Sequence, residues 1–244
     1  VGCSMSGGSS GIGRGSFMRK LLGMTYKLKE SFLTLQGEGG QAGRLSVFLR
    51  FTGCNNWSGR EEDRTSGPAD CALWCDTDFL GTDGDGGGRL ELDELIDRVR
   101  QLWASEGGPR SEAPYVVLTG GEPALQVDQP LIDALQGIGA EVAIETNGSL
   151  PIPKGIDWVC VSPKRLLNGQ PQPLLVTQGQ ELKLVQPQEG FDRLALEAMD
   201  FEHFFVQPLD GPEAAANLAF CLAWVKRYPR WRLSLQNHKR LGIR

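Results

Sequence analysis

Three cysteines, Cys54, Cys71 and Cys75, fall within one segment, CNNWSGREEDRTSGPADCALWCDTDF, with sixteen residues between the first two and three between the last two. Three thiols suit neither a disulfide framework, which needs pairs, nor a closed structural zinc site, which takes four ligands. Three thiolates can hold a 4Fe-4S cluster and leave one iron without a protein ligand, free to bind and activate a small molecule. Two other readings stand beside this one. Zinc could take the three thiolates with His238, Asp76 or water as a fourth ligand, or the cysteines could be ordinary loop thiols. Cys160, in IDWVCV, and Cys221, in NLAFCLAWV, read as small buried hydrophobes.

The elements that must position the trio alternate along the chain. LSVFLRF (45–51) reads as the first buried strand, and LDELIDRVRQLW (92–103) puts its leucines, Ile96, Val99 and Trp103 on one helical face. Then follow strand YVVLT, helix QPLIDALQGI with Pro130 in its first turn, and strands EVAIE, WVCVS and ELKLV. Helix FDRLALEAM, strand HFFVQ, helix EAAANLAFCLAWVKRY and a last strand WRLSLQ complete the series. Repeated βα units with about six or seven strands predict an α/β fold, an incomplete TIM-like barrel short of the eight strands of a closed one. Polar motifs end nearly every strand: Cys54 after the first, then TGGEP (119–123), ETNG (145–148), SPK (162–164), QPLDGP (207–212) and QNHK (236–239). That is the rim where parallel barrels keep their active sites. Turn chemistry explains the glycines and prolines there, but not the convergence of Glu122, Glu145, Lys164, Asp210 and His238.

Composition limits the function classes. With 25 basic and 30 acidic residues among 244, the net charge of -5 gives no surface for a polyanion, so nucleic acid is not an expected partner. No apolar run is long enough for a membrane span, and no signal peptide is recognisable, so a cytoplasmic setting is expected. Residues 1–23, VGCSMSGGSSGIGRGSFMRKLLG, read as a flexible leader or cloning remnant, carrying Cys3 and a lone glycine pattern to which no function is assigned. Residues 24–244 read as one catalytic domain.

Taken in order, the cysteine trio after one strand and a GGEP motif after the next resemble the radical S-adenosylmethionine (SAM) superfamily. More narrowly, FLTLQGEGGQAGR, FLRFTGCNNWSGREEDR, CDTDF, TGGEP, ETNGSLP, VSPK and QPLDGP resemble the 7-carboxy-7-deazaguanine synthase family, from about Met24 to the end of the chain. The superfamily spaces its trio by three and two residues, and family members with an expanded loop by fourteen and two. Here the spacing is sixteen and three, which leaves the path from Arg64 to Cys75 open.

The resemblance implies a partial barrel carrying a 4Fe-4S cluster on Cys54, Cys71 and Cys75, with SAM chelated to the free iron. It implies SAM contacts from Trp74, Asp76, Gly121, Glu122, Ser162, Pro163, Lys164, Gln207, Pro208, Leu209 and Asp210. Gly120 and Gly121 lack side chains and so admit a close ligand, while Glu122 could equally be a solvated turn carboxylate. Substrate contacts fall to Leu35, Gln36, Gly37, Glu38, Arg50, Thr119, His238 and Arg244, the last through its terminal carboxylate. Arg50 sits in an apolar strand, where it needs a partner: a bound carboxylate or an internal acid. His238 reads as well as a structural hydrogen-bonding residue, and Glu145 and Asn147 as ligand contacts or rim groups. A magnesium ion on Thr77 is also implied, against the alternative of a turn residue flanked by solvated Asp76 and Asp78. The implied activity is conversion of 6-carboxy-5,6,7,8-tetrahydropterin to 7-carboxy-7-deazaguanine with loss of ammonia, in queuosine and 7-deazapurine biosynthesis. The expected partners are that pterin, an electron donor such as flavodoxin or ferredoxin, and a second copy in a homodimer. A glycyl-radical activator would share the cluster but need a groove for a protein, and a zinc-binding interaction protein would not need the rim motifs.

Replacing Cys54, Cys71 or Cys75 by Ala should abolish the cluster's visible absorbance and its iron, whereas Cys160→Ala and Cys221→Ala should keep both. Full iron content in Cys71→Ala would remove that residue from the ligand set.

Overall fold

The computed structural model describes residues 25–105 and 112–244. The expected leader over residues 1–23, with Cys3, lies outside them. The elements are β1 (Thr25–Leu35), β2 (Leu45–Phe51), β3 (Gly88–Glu91), α1 (Leu92–Ala104), β4 (Tyr115–Gly120), α2 (Gln129–Gly137), β5 (Glu141–Thr146), β6 (Trp158–Val161), β7 (Gln178–Gln186), α3 (Arg193–Glu197), β8 (Asp200–Pro208), α4 (Ala214–Arg227), β9 (Trp231–Leu233) and α5 (Asn237–Leu241). One sheet runs in the order β3-β1-β2-β4-β5-β6-β7-β8-β9. From β2 through β9 the neighbours are parallel, while β1 is antiparallel to both β2 and β3. The sheet is open, with β3 and β9 at its edges, as an incomplete barrel requires.

Strand parity decides which residues do chemistry. Successive side chains point to opposite faces, so one set of alternate positions shares a surface. Leu49, Val116, Leu118, Val142, Ile144, Val159, Leu182, Leu184, Phe204 and Val206 face the helices and pack against Leu95 and Val99 of α1, Leu131 and Leu135 of α2, and Cys221 of α4. Positions of the opposite parity line the concave side: Arg50, Thr119, Glu145, Cys160, Glu181, Lys183 and Gln207. Local signals hold the helices at this depth. A capping box pairs Glu91 and Glu94 at the start of α1, and Asp128 accepts the Leu131 N–H at 3.1 Å at the start of α2, with Pro130 in its first turn.

The sequence expectation differs from this fold at β1, α3 and β9, and it lacks β3 and α5. LSVFLRF is the second strand, not the first: TYKLKESFLTL precedes and pairs with it, but its register shifts between Leu28 and Glu30, and that bulge breaks the alternation that would have revealed it. In line with the uninterrupted strand series EVAIE, WVCVS and ELKLV, the β5–β6 and β6–β7 connections carry no helix, because the Pro/Gly-rich NGSLPIPKGID and SPKRLLNGQPQP cannot propagate one. FDRLALEAM forms helix only over Arg193–Glu197, and WRLSLQ pairs only over Trp231–Leu233.

Bare backbone joins the turns after β2 and β4. Gly120 has φ +145, and a Cβ on it would stand 2.2 Å from the Phe51 carbonyl oxygen. A Cβ on Gly121 would meet the Gly53 oxygen at 2.3 Å and the Cys54 Cβ at 2.8 Å, while the Glu122 N–H donates to that same Gly53 oxygen at 2.9 Å. Gly121→Ala should therefore push Cys54 away, cost about 1–3 kcal/mol in urea denaturation, and lower the iron bound per chain.

Candidate active site

Two contiguous cavities open at the carboxyl ends of the parallel strands. The larger, of about 400 Å³, is bounded by β1 and β2, by the loop over Leu35, Gln36, Gly37 and Glu38, and by α5. Glu30, Arg50 and Thr119 stand side by side across β1, β2 and β4, since Glu30 pairs with Arg50 and Arg50 with Thr119 in strand register. The Arg50 Nε donates to Glu30 at 2.7 Å, so the internal acid foreseen for Arg50 is present, and both groups also face the cavity. One pair of residues further along, Phe32 and Phe48 stack with centroids 5.6 Å apart and offer an apolar wall for a flat ring. His238 closes the other side. Its imidazole sits so near Gly37 that a Cβ there would fall 2.4 Å from Nδ1, and the Asn237 N–H donates to the Gly37 oxygen at 3.0 Å. Arg244 also lines this cavity, its main-chain oxygen accepting from Thr34 Oγ1 at 2.8 Å and its guanidinium 2.9 Å from Asp85.

The smaller cavity, about 210 Å³, is walled by Cys54, Cys71 and Cys75 together with Trp57, Trp74, Phe79, Gly121, Asn147, Ser162, Lys164, Lys183 and Gln207. Burial pushes the Cys54 thiol above its ordinary value and the Cys71 thiol up to about 12, Lys164 partly opposing the latter. Such thiols stay neutral until a metal displaces their protons. Among the described residues no three His, Cys, Asp or Glu side chains converge closely enough to hold a single metal ion. The three thiols line one cavity together, and a polynuclear cluster there would take separate thiolates on separate irons. His238, a proposed fourth zinc ligand, lines the larger cavity instead.

The loop that carries the trio follows a defined path. Short 3-10 turns cover Glu61–Asp63 and Asp70–Leu73, and the second takes up the long spacing between Cys71 and Cys75. Arg64 ties the loop to itself: it pairs with Glu61 at 2.6 Å, donates to the carbonyl oxygens of Ala72 and Cys75, and lies 4.4 Å over the Trp57 ring. Three further ties bind the loop to the segment after β6. Arg165 pairs with Asp70 at 2.6 Å, the Asp70 N–H donates to the Arg165 oxygen, and the side-chain amides of Asn56 and Gln172 bond reciprocally at 2.9 and 3.0 Å. Cys71 and Lys164 are thereby positioned by one folded unit.

The cavities share a wall made of Glu38, Asp76, Thr77, Thr119, Gly120, Glu145 and Gln236. Behind it stands Lys183, 3% exposed, with its ammonium 2.7 Å from Glu38 and 2.9 Å from Glu145. Burial alone would raise the Glu38 carboxyl, but the Lys183 charge and hydrogen bonds from Lys183 and Gln207, with His238 nearby, hold it down to about 2. Burial likewise opposes the Lys183 charge; the acids Glu145, Glu38 and Glu181 around it outweigh that cost and hold its pKa well above the usual lysine value. Lys239 bonds both Asp76 and Asp210, anchoring α5 to the turn after Cys75.

Some anticipated residues occupy other places. Glu122 is neither solvated nor on the cavity wall: it is fully buried and accepts from Thr146 Oγ1 at 2.6 Å, the Asn147 N–H at 2.8 Å and the Ala124 N–H at 3.0 Å. Burial pushes its carboxyl up, against those hydrogen bonds and the Lys164 charge. Pro163 is buried off the cavity wall, and Pro208, Leu209 and Asp210 line an adjoining hollow beside α4 and α5 that shares Gln236 with both cavities. Lys183, Lys29, Glu30, Phe32, Phe48 and Gln236 were not anticipated. Lys183 in ELKLV, like Arg50, is a charge inside an apolar strand and needs a partner for the same reason.

No protein-family model matches the chain. The chain is similar to the 7-carboxy-7-deazaguanine synthase of Burkholderia multivorans, 55% identical over 223 residues that cover 90% of this chain and all of the relative. It is 53% identical to that of Bradyrhizobium diazoefficiens over 222 residues, 91% of this chain and again all of the relative. Among solved structures it resembles the crystal structure of QueE from Escherichia coli, with a TM-score of 0.67 and 25% identity over 91% of this chain and 98% of that one.

Proposed function

The chain belongs to the 7-carboxy-7-deazaguanine synthase family, and on that premise we propose that it is a radical SAM lyase converting 6-carboxy-5,6,7,8-tetrahydropterin to 7-carboxy-7-deazaguanine with loss of ammonia, in queuosine and 7-deazapurine biosynthesis. The observation that carries this reading is the pair of contiguous cavities, one walled by three thiols and the other by Arg50, Phe32, Phe48, Thr119 and His238. In the proposal Cys54, Cys71 and Cys75 hold the 4Fe-4S cluster, and SAM occupies the rest of the smaller cavity. When bound, cluster and SAM supply a carbon-centred radical that takes a hydrogen atom from the substrate.

The chain's own residues position and enclose. Trp74, Asp76, Gly121, Ser162, Lys164 and Gln207 line the space given to SAM, with the Lys164 ammonium 2.6 Å from Ser162 Oγ and 5.8 Å from the Trp74 ring centroid, suited to a carboxylate and a ribose. Glu122 acts from behind by fixing the Asn147 and Ala124 backbone. Leu35, Gln36, Gly37, Glu38, Arg50, Thr119, His238 and Arg244 surround the pterin. Phe32 and Phe48 cover its face, and Arg50 takes its carboxylate. Water is kept from the reacting carbon by the aromatic walls of both cavities.

Thr77 lies on the shared wall between the cluster side and the substrate side. We place a magnesium ion there, held by one hydroxyl, substrate oxygens and water, as a hard octahedral ion allows. Thr77→Ala should leave the cluster and SAM binding intact and abolish the stimulation of turnover by magnesium. Equal stimulation in both proteins would dismiss Thr77 as a ligand. The proposal extends to a cytoplasmic setting, a flavodoxin or ferredoxin electron donor and a homodimer; among the described residues no helix is long and apolar enough to cross a membrane.

The deciding experiment is anaerobic incubation with SAM, reductant and the carboxytetrahydropterin, with mass-spectrometric detection of the deazaguanine and ammonia. No product from iron-replete protein would refute the assignment. In the same assay Arg50→Ala should lose about 2 to 5 kcal/mol of substrate binding while SAM binding is kept. A loss of SAM affinity alone would move Arg50 out of the substrate site.

A further inference from the structure

The wall between the two cavities is organised by a closed circuit of side chains. The Lys183 ammonium bridges Glu38 Oε2 at 2.7 Å and Glu145 Oε2 at 2.9 Å. Gln36 completes the circuit from the other side: its Nε2 donates to Glu145 Oε1 at 3.2 Å, and its Oε1 accepts the Glu38 N–H at 3.1 Å. Glu38 and Glu145 face both cavities, Gln36 faces only the larger, and Lys183 only the smaller. A ligand in the larger cavity therefore meets the two carboxylates and the amide but not the ammonium behind them.

Few groups compete for this lysine. From β6, Cys160 faces it, a thiol that burial, Glu145 and Glu181 keep well above its ordinary pKa and so neutral. From β7 itself comes Glu181, which burial pushes up, Lys183 opposing and Glu145 adding. Its Oε2 accepts the Gly40 N–H at 2.9 Å and its Oε1 the Cys160 thiol at 3.5 Å, and no ion pair joins it to Lys183 among the described residues. His238, on α5, reaches Glu38 through its field alone. The lysine's two short contacts are thus both to wall carboxylates.

We propose that Lys183 is a positioning residue for the larger cavity: from the cluster side of the wall it fixes Glu38 and Glu145 as a pair of carboxylates aimed at the substrate, without touching the substrate itself. This rests on the reading that the larger cavity takes the carboxytetrahydropterin. Two carboxylates side by side repel, and one removed from water protonates unless a cation is fixed against it. Lys183 prevents both outcomes, while Gln36 orients the Glu145 carboxylate and holds the Glu38 backbone.

Lys183→Met keeps the length of the side chain and removes its charge. Without substrate, the full-length iron-replete variant should show a protonated-carboxyl infrared band at neutral pH that wild type lacks and that Glu38→Gln in the same background diminishes. By calorimetry, the variant should bind 6-carboxy-5,6,7,8-tetrahydropterin about 10 to 100-fold more weakly, and more weakly still as pH falls, while wild type stays level and SAM binding is little changed. An unchanged pterin affinity, or a loss confined to SAM, would overturn the proposal, as would the absence of the infrared band. If Lys183→Met does not fold, Lys183→Met with Glu38→Gln removes the pair together and is judged by the same pterin and SAM affinities. Failure of wild type itself to bind the pterin would strike at the functional reading, and the substrate-free infrared comparison would still decide whether Lys183 holds the carboxylates.

Discussion

The concave face of the open sheet buries charged groups that must be balanced, and the Lys183 ion pairs meet that constraint. Breaking a buried pair by removing one partner typically costs about 3–5 kcal/mol, because the partner left behind is uncompensated. Here a single ammonium serves Glu38, from the loop after β1, and Glu145, at the end of β5, and so joins three parts of the fold that are far apart in the chain. The two carboxylates it fixes are part of the wall between the cavities, so the junction helps to keep them apart.

A second constraint is geometric. The trio of thiols spans a loop with a long insertion, and a loop of that length would sample many arrangements unless tied down. Arg64 binds it internally, and Asp70 and Asn56 bind it to the segment after β6. The backbone of Gly121 meanwhile presses on Gly53 and Cys54. Radical chemistry needs its reacting carbon held close to the radical source and away from water, and rigid mutual placement of the loop, the β4 turn and the β6 turn serves that need.

Much of this was legible in the sequence. Seven parallel strands, the helices α1, α2 and α4, and the gathering of polar motifs at one rim follow from hydrophobic period and turn composition. Arg50 was recognisable as a charge in an apolar strand, though its pairing with Glu30 was not, because β1 is bulged and its alternation is broken where Glu30 lies. Glu122 carried no sign of its actual place. A glutamate after two glycines reads as a turn residue, and only the approach of Thr146 and Asn147 from the next strand makes it a buried acceptor. The family resemblance groups Pro208, Leu209 and Asp210 with Gln207; in the fold Gln207 lines the smaller cavity and the other three an adjoining hollow.

By itself the sequence determined residue type, spacing and parity: which thiols are near one another in the chain, and which side of each strand a residue faces. Those are properties of local covalent geometry, which the chain carries wherever it goes. Tertiary structure alone decided which side chains meet across strands. Lys183 finds Glu38 at a sequence distance of 145 residues and Glu145 at 38, and Arg165 finds Asp70 at 95. Such meetings depend on strand order and on register, where a shift of one residue would turn every side chain to the opposite face.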